Sequence, residues 1–348
     1  METILLLANS EADGSLSQAA LEALGAAKVL TAGMPGSKLV IGLVGQTVQP
    51  AANGVAACGA QAFLAVEGAD FAPSRYATDA AAAETLAQAA QATIILAPAT
   101  SRWNRVLPGI AQRLGGRADT HVTGLSVTNG TPAINRWYYR QRMEAVLQRT
   151  QRPWCILIDP GSQPAWQGAP GTATIQLVPV TLADACKRTT VVGLREPAAD
   201  AQTIRPEADL LLVAGAGWTK KQADGQPHVK EAEALILGCL KFARASLGSS
   251  KSLVDLGGEG QAVLSCLTHL NQIGQTGSTP RHAKGLATCC HGEEPHAVGW
   301  RFINERRAIN LDANCGWARG KADVLYVADA FAVMTKVNEL LAAGAGAA

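Results

Sequence analysis

Asp209-Leu210-Leu211-Leu212-Val213-Ala214-Gly215 decides how the second half of this 348-residue chain is built. Five consecutive apolar side chains without polar alternation are what a strand buried on both faces requires. The closing glycine suits a tight turn, and residues 230–245 follow as a helical stretch. Further on, residues 251–254, 285–288 and 308–310 read as short strands or loops. Residues 324–327 read as a strand and 332–341 as a closing helix.

Toward the amino terminus the same alternation repeats. Residues 4–8, 39–44, 62–66, 93–97 and 154–158 read as buried strands. Helical stretches at 17–24, 78–91 and 104–114 lie between them. Strands alternating with helices of ~10–15 residues specify a parallel sheet covered on both faces. Residues 189–196 read as a late edge strand and 197–205 as a linker. The expected fold is therefore α/β with two domains, at 1–200 and 205–341, each a mostly parallel sheet with helices on both faces. The low-complexity stretch 342–348 is expected to be a disordered tail.

Composition removes several classes. Apolar residues make up 48% and charged residues 17%, which excludes a disordered chain. A net charge of +2 from scattered basic residues speaks against a nucleic-acid groove or a polybasic membrane patch. No apolar run reaches the ~18 residues of a membrane span. A strand pattern begins at Thr3 and leaves no room for a leader, so a cytoplasmic location is expected. The eight cysteines form no CxxC pair, and Cys155 sits inside Trp154-Cys155-Ile156-Leu157-Ile158, so reduced, buried thiols are expected. Cys289-Cys290-His291 with Cys315 makes a poor metal centre, because adjacent cysteines on an extended segment point apart. No metal is expected. Hydrolase, Walker and zincin motifs are absent from the sequence. Gly215-Ala216-Gly217 lacks the third glycine of a nicotinamide fingerprint. Arg136, Arg140 and Arg142 flank Trp137-Tyr138-Tyr139, which suits a subunit contact or an amphipathic helix face.

Glycine-containing turns follow strands of the second half at Gly215/Gly217, Gly248, Gly274/Gly277 and Gly292. In an open α/β sheet such turns lie at the carboxyl ends of the strands, where ligands bind. A dinucleotide with a long pyrophosphate chain needs several of them. Ile273-Gly274-Gln275-Thr276-Gly277 is the most informative: two glycines admit close backbone approach, and Gln275 and Thr276 add donors for phosphate, ribityl or ring oxygens.

The succession Leu247-Gly248-Ser249-Ser250-Lys251, Val254-Asp255, Ile273 to Gly277, His296, Ala308-Ile309-Asn310 and Val327-Ala328-Asp329 resembles the alpha subunit of electron transfer flavoprotein. That family carries Gly-Ala-Ser-Arg, Val-Asp, Val-Gly-Gln-Thr-Gly, Ile-Ser-Gly-Ala-Ile-Gln-His, Ala-Ile-Asn and Val-Ala-Asp in the same order. The resemblance spans nearly the whole chain, with its specific motifs in the last third. It implies one FAD per heterodimer, held by the C-terminal domain. Ser250 and Lys251 would face the flavin, and Ile273, Gly274, Gln275, Thr276 and Gly277 would line its ribityl chain and ring. The segment with His291, Gly292 and His296 would reach flavin and pyrophosphate, while Asn310, Asp329 and Ala330 would hold the ADP half. It further implies a beta subunit that holds AMP as partner, with subunit contacts through the first domain. Flavin dehydrogenases would be donors and a membrane quinone oxidoreductase the acceptor. The protein would be a bacterial, cytoplasmic electron carrier with no catalytic residues of its own.

Three departures stand against the pattern. Lys251 replaces an arginine and loses its planar, bidentate fork. Ala214-Gly215-Ala216-Gly217-Trp218 replaces Gly-Gly-Arg-Gly, and His291-Gly292-Glu293-Glu294-Pro295 replaces Ser-Gly-Ala-Ile-Gln. Two alternatives remain open: a subunit of an electron-bifurcating flavoprotein, and a scaffold subunit that has lost FAD.

Overall fold

The computed structural model describes residues 1–138, 143–193, 204, 208–243, 245–255, 262–273, 282–288 and 303–345. The chain divides into two compact units, Met1–Leu194 and Arg195–Ala348. Each is an α/β unit built on its own sheet.

In the first unit, β1 (Thr3–Asn9), β2 (Lys38–Gly45), β3 (Ala62–Glu67), β4 (Ile94–Pro98), β5 (Arg117–Thr128), β6 (Thr131–Tyr138), β7 (Met143–Leu147), β8 (Trp154–Ile158) and β9 (Ile175–Leu177) form one sheet. Its strand order is β7-β6-β5-β8-β4-β1-β2-β3-β9. Its α-helices among the described residues are α1 (Gln18–Gly33), α2 (Gln49–Gly54), α3 (Tyr76–Ala89) and α4 (Ser101–Arg113). Side chains of a strand alternate between faces. On β1, Ile4, Leu6 and Ala8 pack with Ala23, Leu24 and Leu30 of α1, while Leu5 and Leu7 pack with Leu86 of α3 and Ile110 of α4. Both faces are therefore covered, as the unbroken apolar run demands. Ser17 starts α1 by accepting from Ala20 N, and Thr100 starts α4 by accepting from Trp103 N.

Two sequence readings fail here. The cluster around Arg136 and Trp137 lies on a strand, not on an amphipathic helix. β6 runs antiparallel to both β5 and β7, and Arg136 stacks over Tyr138 at 4.5 Å. This half-exposed meander carries few apolar residues, so no apolar run betrays it. Its signal is Asn129-Gly130, both at positive φ (51° and 75°), the two-residue turn that joins tight hairpins. Residues 189–193 form no strand, and Val192 is 98% exposed. The edge strand is β9, whose register on β3 runs from Phe63↔Ile175 to Ala65↔Leu177.

Asp119, 1% exposed, ties the meander to the parallel sheet. It accepts from Arg136 (3.0 Å), from Arg149 twice (3.0 Å each) and from the Trp154 indole (2.9 Å). Burial alone would push its carboxyl up. The Arg149 and Trp154 hydrogen bonds and the two guanidinium charges outweigh that and hold it below the ordinary carboxylate range. A depressed carboxyl contributes stability that is present above its unfolded pKa of ~3.9 and is lost as pH falls through the folded one. The expected outcome is that Asp119→Asn removes part of the acid-induced loss of stability below about pH 4, read by urea unfolding across that range.

The second sheet holds β10 (Leu210–Ala214), β11 (Ala245–Ser249), β12 (His282–Thr288), β13 (Ile303–Asn310) and β14 (Val324–Val327), in the order β11-β10-β12-β13-β14 and all parallel. Its helices are α5 (Val229–Phe242), α6 (Lys251–Asp255), α7 (Gly316–Lys321) and α8 (Ala330–Ala345). One face packs Leu212, Leu247 and Ile309 beneath α5 and α8, and the other packs Leu211, Val213 and Ala308 with Ala318 of α7. The helix expected over 230–245 stops at Phe242, because Ala245 pairs with Leu210 as the first residue of β11. Residues 251–254 are helical, started by Ser250, whose Oγ accepts from Leu253 N. Alanine-rich, helix-forming residues leading into a short strand hide the boundary until tertiary pairing decides it.

Candidate functional site

Strand order reverses between β10 and β12: the connection from β10 leads to β11 on one side, while β12 leads to β13 on the other. Such a switch point opens a crevice at the carboxyl ends of a parallel sheet. The residues gathered there are small, polar and deeply buried. Ser249, Ser250, Thr288 and Asn310 are each at most 1% exposed.

Two of them hold polar atoms that nothing among the described residues satisfies. Ser249 Oγ and Asn310 Nδ2 are buried without a hydrogen-bond partner. Buried polar groups are normally paired, so such orphans mark a place where a ligand, ion or water belongs. Asn310 is otherwise well fixed, its Oδ1 accepting from Asp312 N at 2.8 Å. Across the tips, Ser250 N donates to Ala214 O (2.9 Å) and Gly215 N to Thr288 O (3.0 Å).

Ile273 is fully buried beside β11, its N–H donating to Ser249 O at 3.1 Å. Gly248 makes this approach possible. A Cβ there would lie 2.7 Å from Ile273 Cγ2 and 3.2 Å from Leu211 Cδ1. Ser250 and Ile273 thus come together at the tip of β11, while Asn310, Asp329 and Ala330 sit at the tips of β13 and β14. Asp329 Oδ1 accepts from Ala332 N (2.9 Å), capping α8. Lys251 is exposed and paired with Asp255 one helical turn on, so its charge is already engaged. Gly274, Gln275, Thr276, Gly277, His291, Gly292 and His296 lie outside the described residues. Ser249 was not among the residues expected to bind a ligand. Its signal is a buried strand that ends in two consecutive serines.

Trp218, in the turn that follows β10, reaches the tip of β12. It is fully buried, stacks edge-on against Phe331 at 4.6 Å, and donates its indole N–H to Thr288 Oγ1 at 2.8 Å. The loop that carries it is pinned at its far end, where His228 lies 2.7 Å from Asp224 and 3.2 Å from Glu231. The Asp224 hydrogen bond, followed by the charges of both carboxylates, raises the imidazole pKa above its usual value.

Over residues 4–184 the sequence matches the family defined as the electron transfer flavoprotein domain. The chain belongs to the electron transfer flavoprotein family. None of the curated proteins matches it. The matched stretch contains the nine-stranded sheet of the first unit, and the switch-point crevice of the second lies outside it. As an electron transfer flavoprotein family member, the chain has a flavoprotein role in electron transfer between protein partners. No helix among its described residues is long and apolar enough to cross a membrane.

Proposed function

We propose that this chain is the FAD-binding alpha subunit of a heterodimeric electron transfer flavoprotein, with FAD in the switch-point crevice of its second unit. One observation carries this reading: the buried, unpartnered Ser249 Oγ and Asn310 Nδ2 sit at the tips of one parallel sheet. An acceptor-rich ligand threaded across several tips satisfies them, and a dinucleotide has that length and chemistry. FAD, when bound, supplies the redox chemistry; the protein binds, orients and excludes water. Asn310 Nδ2 would donate to the ADP half. Ser249 and Ser250 would meet the flavin end, beside the loop that Ile273 begins. The proposed partners are a beta subunit that holds AMP, flavin dehydrogenases as donors and a quinone oxidoreductase as acceptor.

The Lys251–Asp255 pair favours a second reading, a scaffold subunit without flavin, because it withdraws a cation from the site. Mass spectrometry of the cofactor co-purified with the paired subunits separates them. FAD at one per heterodimer supports the first reading, and a colourless heterodimer overturns it. A finer check uses Ser249→Ala. Removing an unsatisfied buried hydroxyl should leave stability unchanged or raise it by about 1 kcal/mol, while FAD affinity falls several-fold. Urea unfolding and flavin titration of the same variant read the two effects.

A further inference from the structure

The turn after β10, residues Ala216–Thr219, carries a buried tryptophan, Trp218. Its contacts reach three elements that flank the switch point. The indole N–H donates to Thr288 Oγ1 (2.8 Å), and that hydroxyl donates onward to Val213 O (3.0 Å). Gly215 N donates to Thr288 O (3.0 Å), so the end of β12 is held to β10 by main chain and side chain alike. The ring itself lies against Phe331, in the first turn of α8, directly after Asp329 and Ala330. Trp218 and Thr288 are both fully buried, which makes this hydrogen bond strong and its loss costly.

We infer that Trp218 and Thr288 form a latch across the switch point, and that Trp218 is a positioning residue for the dinucleotide. It fixes the relative places of the β10 loop, the β12 tip and the start of α8, so the donors around the crevice stand ready at ligand spacing. Such pre-organisation lowers the ordering cost of binding. The inference rests on the proposed FAD site.

The test uses the full-length chain paired with its partner subunit, stripped of flavin and titrated with FAD. Trp218→Phe keeps the ring and loses the donor; Thr288→Val keeps the shape and loses the hydroxyl. Each is expected to weaken FAD binding about tenfold, and the double variant to bind within about threefold of either single one. Thr288→Ser, which keeps the hydroxyl, should bind like the parent. The bound flavin should also lose the resolved fine structure of its visible absorption band in Trp218→Phe. Additive losses, an unchanged dissociation constant, or a loss in Thr288→Ser equal to that in Thr288→Val would overturn the latch and leave the FAD site standing. A parent protein that takes up no FAD overturns both.

Discussion

Gly248→Val is expected to abolish tight FAD binding, lowering affinity by at least about a hundredfold, while most of the fold survives. The valine Cβ would lie 2.7 Å from Ile273 Cγ2, closer than packed carbons tolerate, and a tight 3.2 Å from Leu211 Cδ1. Leu211 lies on the interior strand β10, fully buried between β11 and β12, so Ile273 is the side chain that moves. Ile273 is held at Ser249 O by its own N–H and leads directly into Gly274-Gln275-Thr276-Gly277. In the proposed site, displacing Ile273 shifts the point from which that segment departs. Misplacement by ~1 Å is enough to cost a hundredfold at a pre-organised site. Overpacking of this kind costs typically about 1–3 kcal/mol of stability, well below what unfolds a unit of this size. Flavin titration together with urea unfolding separates the two effects. Wild-type FAD affinity in this variant would mean that the β11 tip is not where the flavin lies.

Arg102→Ala is expected to destabilise the first unit by about 3–5 kcal/mol at neutral pH, with little direct effect on flavin. Arg102 and Asp79 form a buried pair: Nη2 lies 2.6 Å from Oδ1 and Nε 2.9 Å from Oδ2, and the Asp79 side chain is fully buried. The same guanidinium donates to Phe71 O at 2.7 Å. Truncation strands a carboxylate inside the apolar layer between α3 and α4. Burial pushes the Asp79 carboxyl above its ordinary range, and Arg102 pulls it back part of the way. A raised carboxyl pKa means that the folded state binds its proton more tightly than the unfolded chain. The carboxyl therefore disfavours folding as pH climbs past the ordinary range of ~3.9, and removing Arg102 enlarges that effect. The stability gap between parent and variant should consequently be wider at pH 7 than at pH 4. Urea unfolding at the two pH values measures it, and an equal gap at both would mean that the carboxylate finds another partner.

The fold was legible where one physical cause dominates. Residues 4–8 and 210–214 are apolar on both faces, and no structure but a covered parallel strand accommodates them. The meander of β5 to β7 was not legible, because one of its faces meets water and its residues are polar, aromatic and basic. Only Asn129-Gly130 announced it. The α5–β11 boundary was hidden for a different reason: residues 241–247 suit a helix locally, and only pairing with β10 makes 245–249 a strand. At the candidate site, the residues expected to hold a dinucleotide follow from the family resemblance, and the sequence does not give the state of their side chains. The Lys251–Asp255 pair and the Asp329 cap are local, set once residues 251–255 and 330–345 become helical, whereas the Trp218–Thr288 hydrogen bond joins residues 70 apart in sequence.

The placement of β9 bears on how the protein is made. β3 ends at Glu67, yet the strand that pairs with its outer side begins only at Ile175. As a nascent chain leaves the ribosome at ~5–20 residues per second, the flank of β3 stays naked for several seconds, a template for stray strands of other molecules. Chains cut short before residue 175 should accordingly clump, and those extended past 177 should stay dispersed.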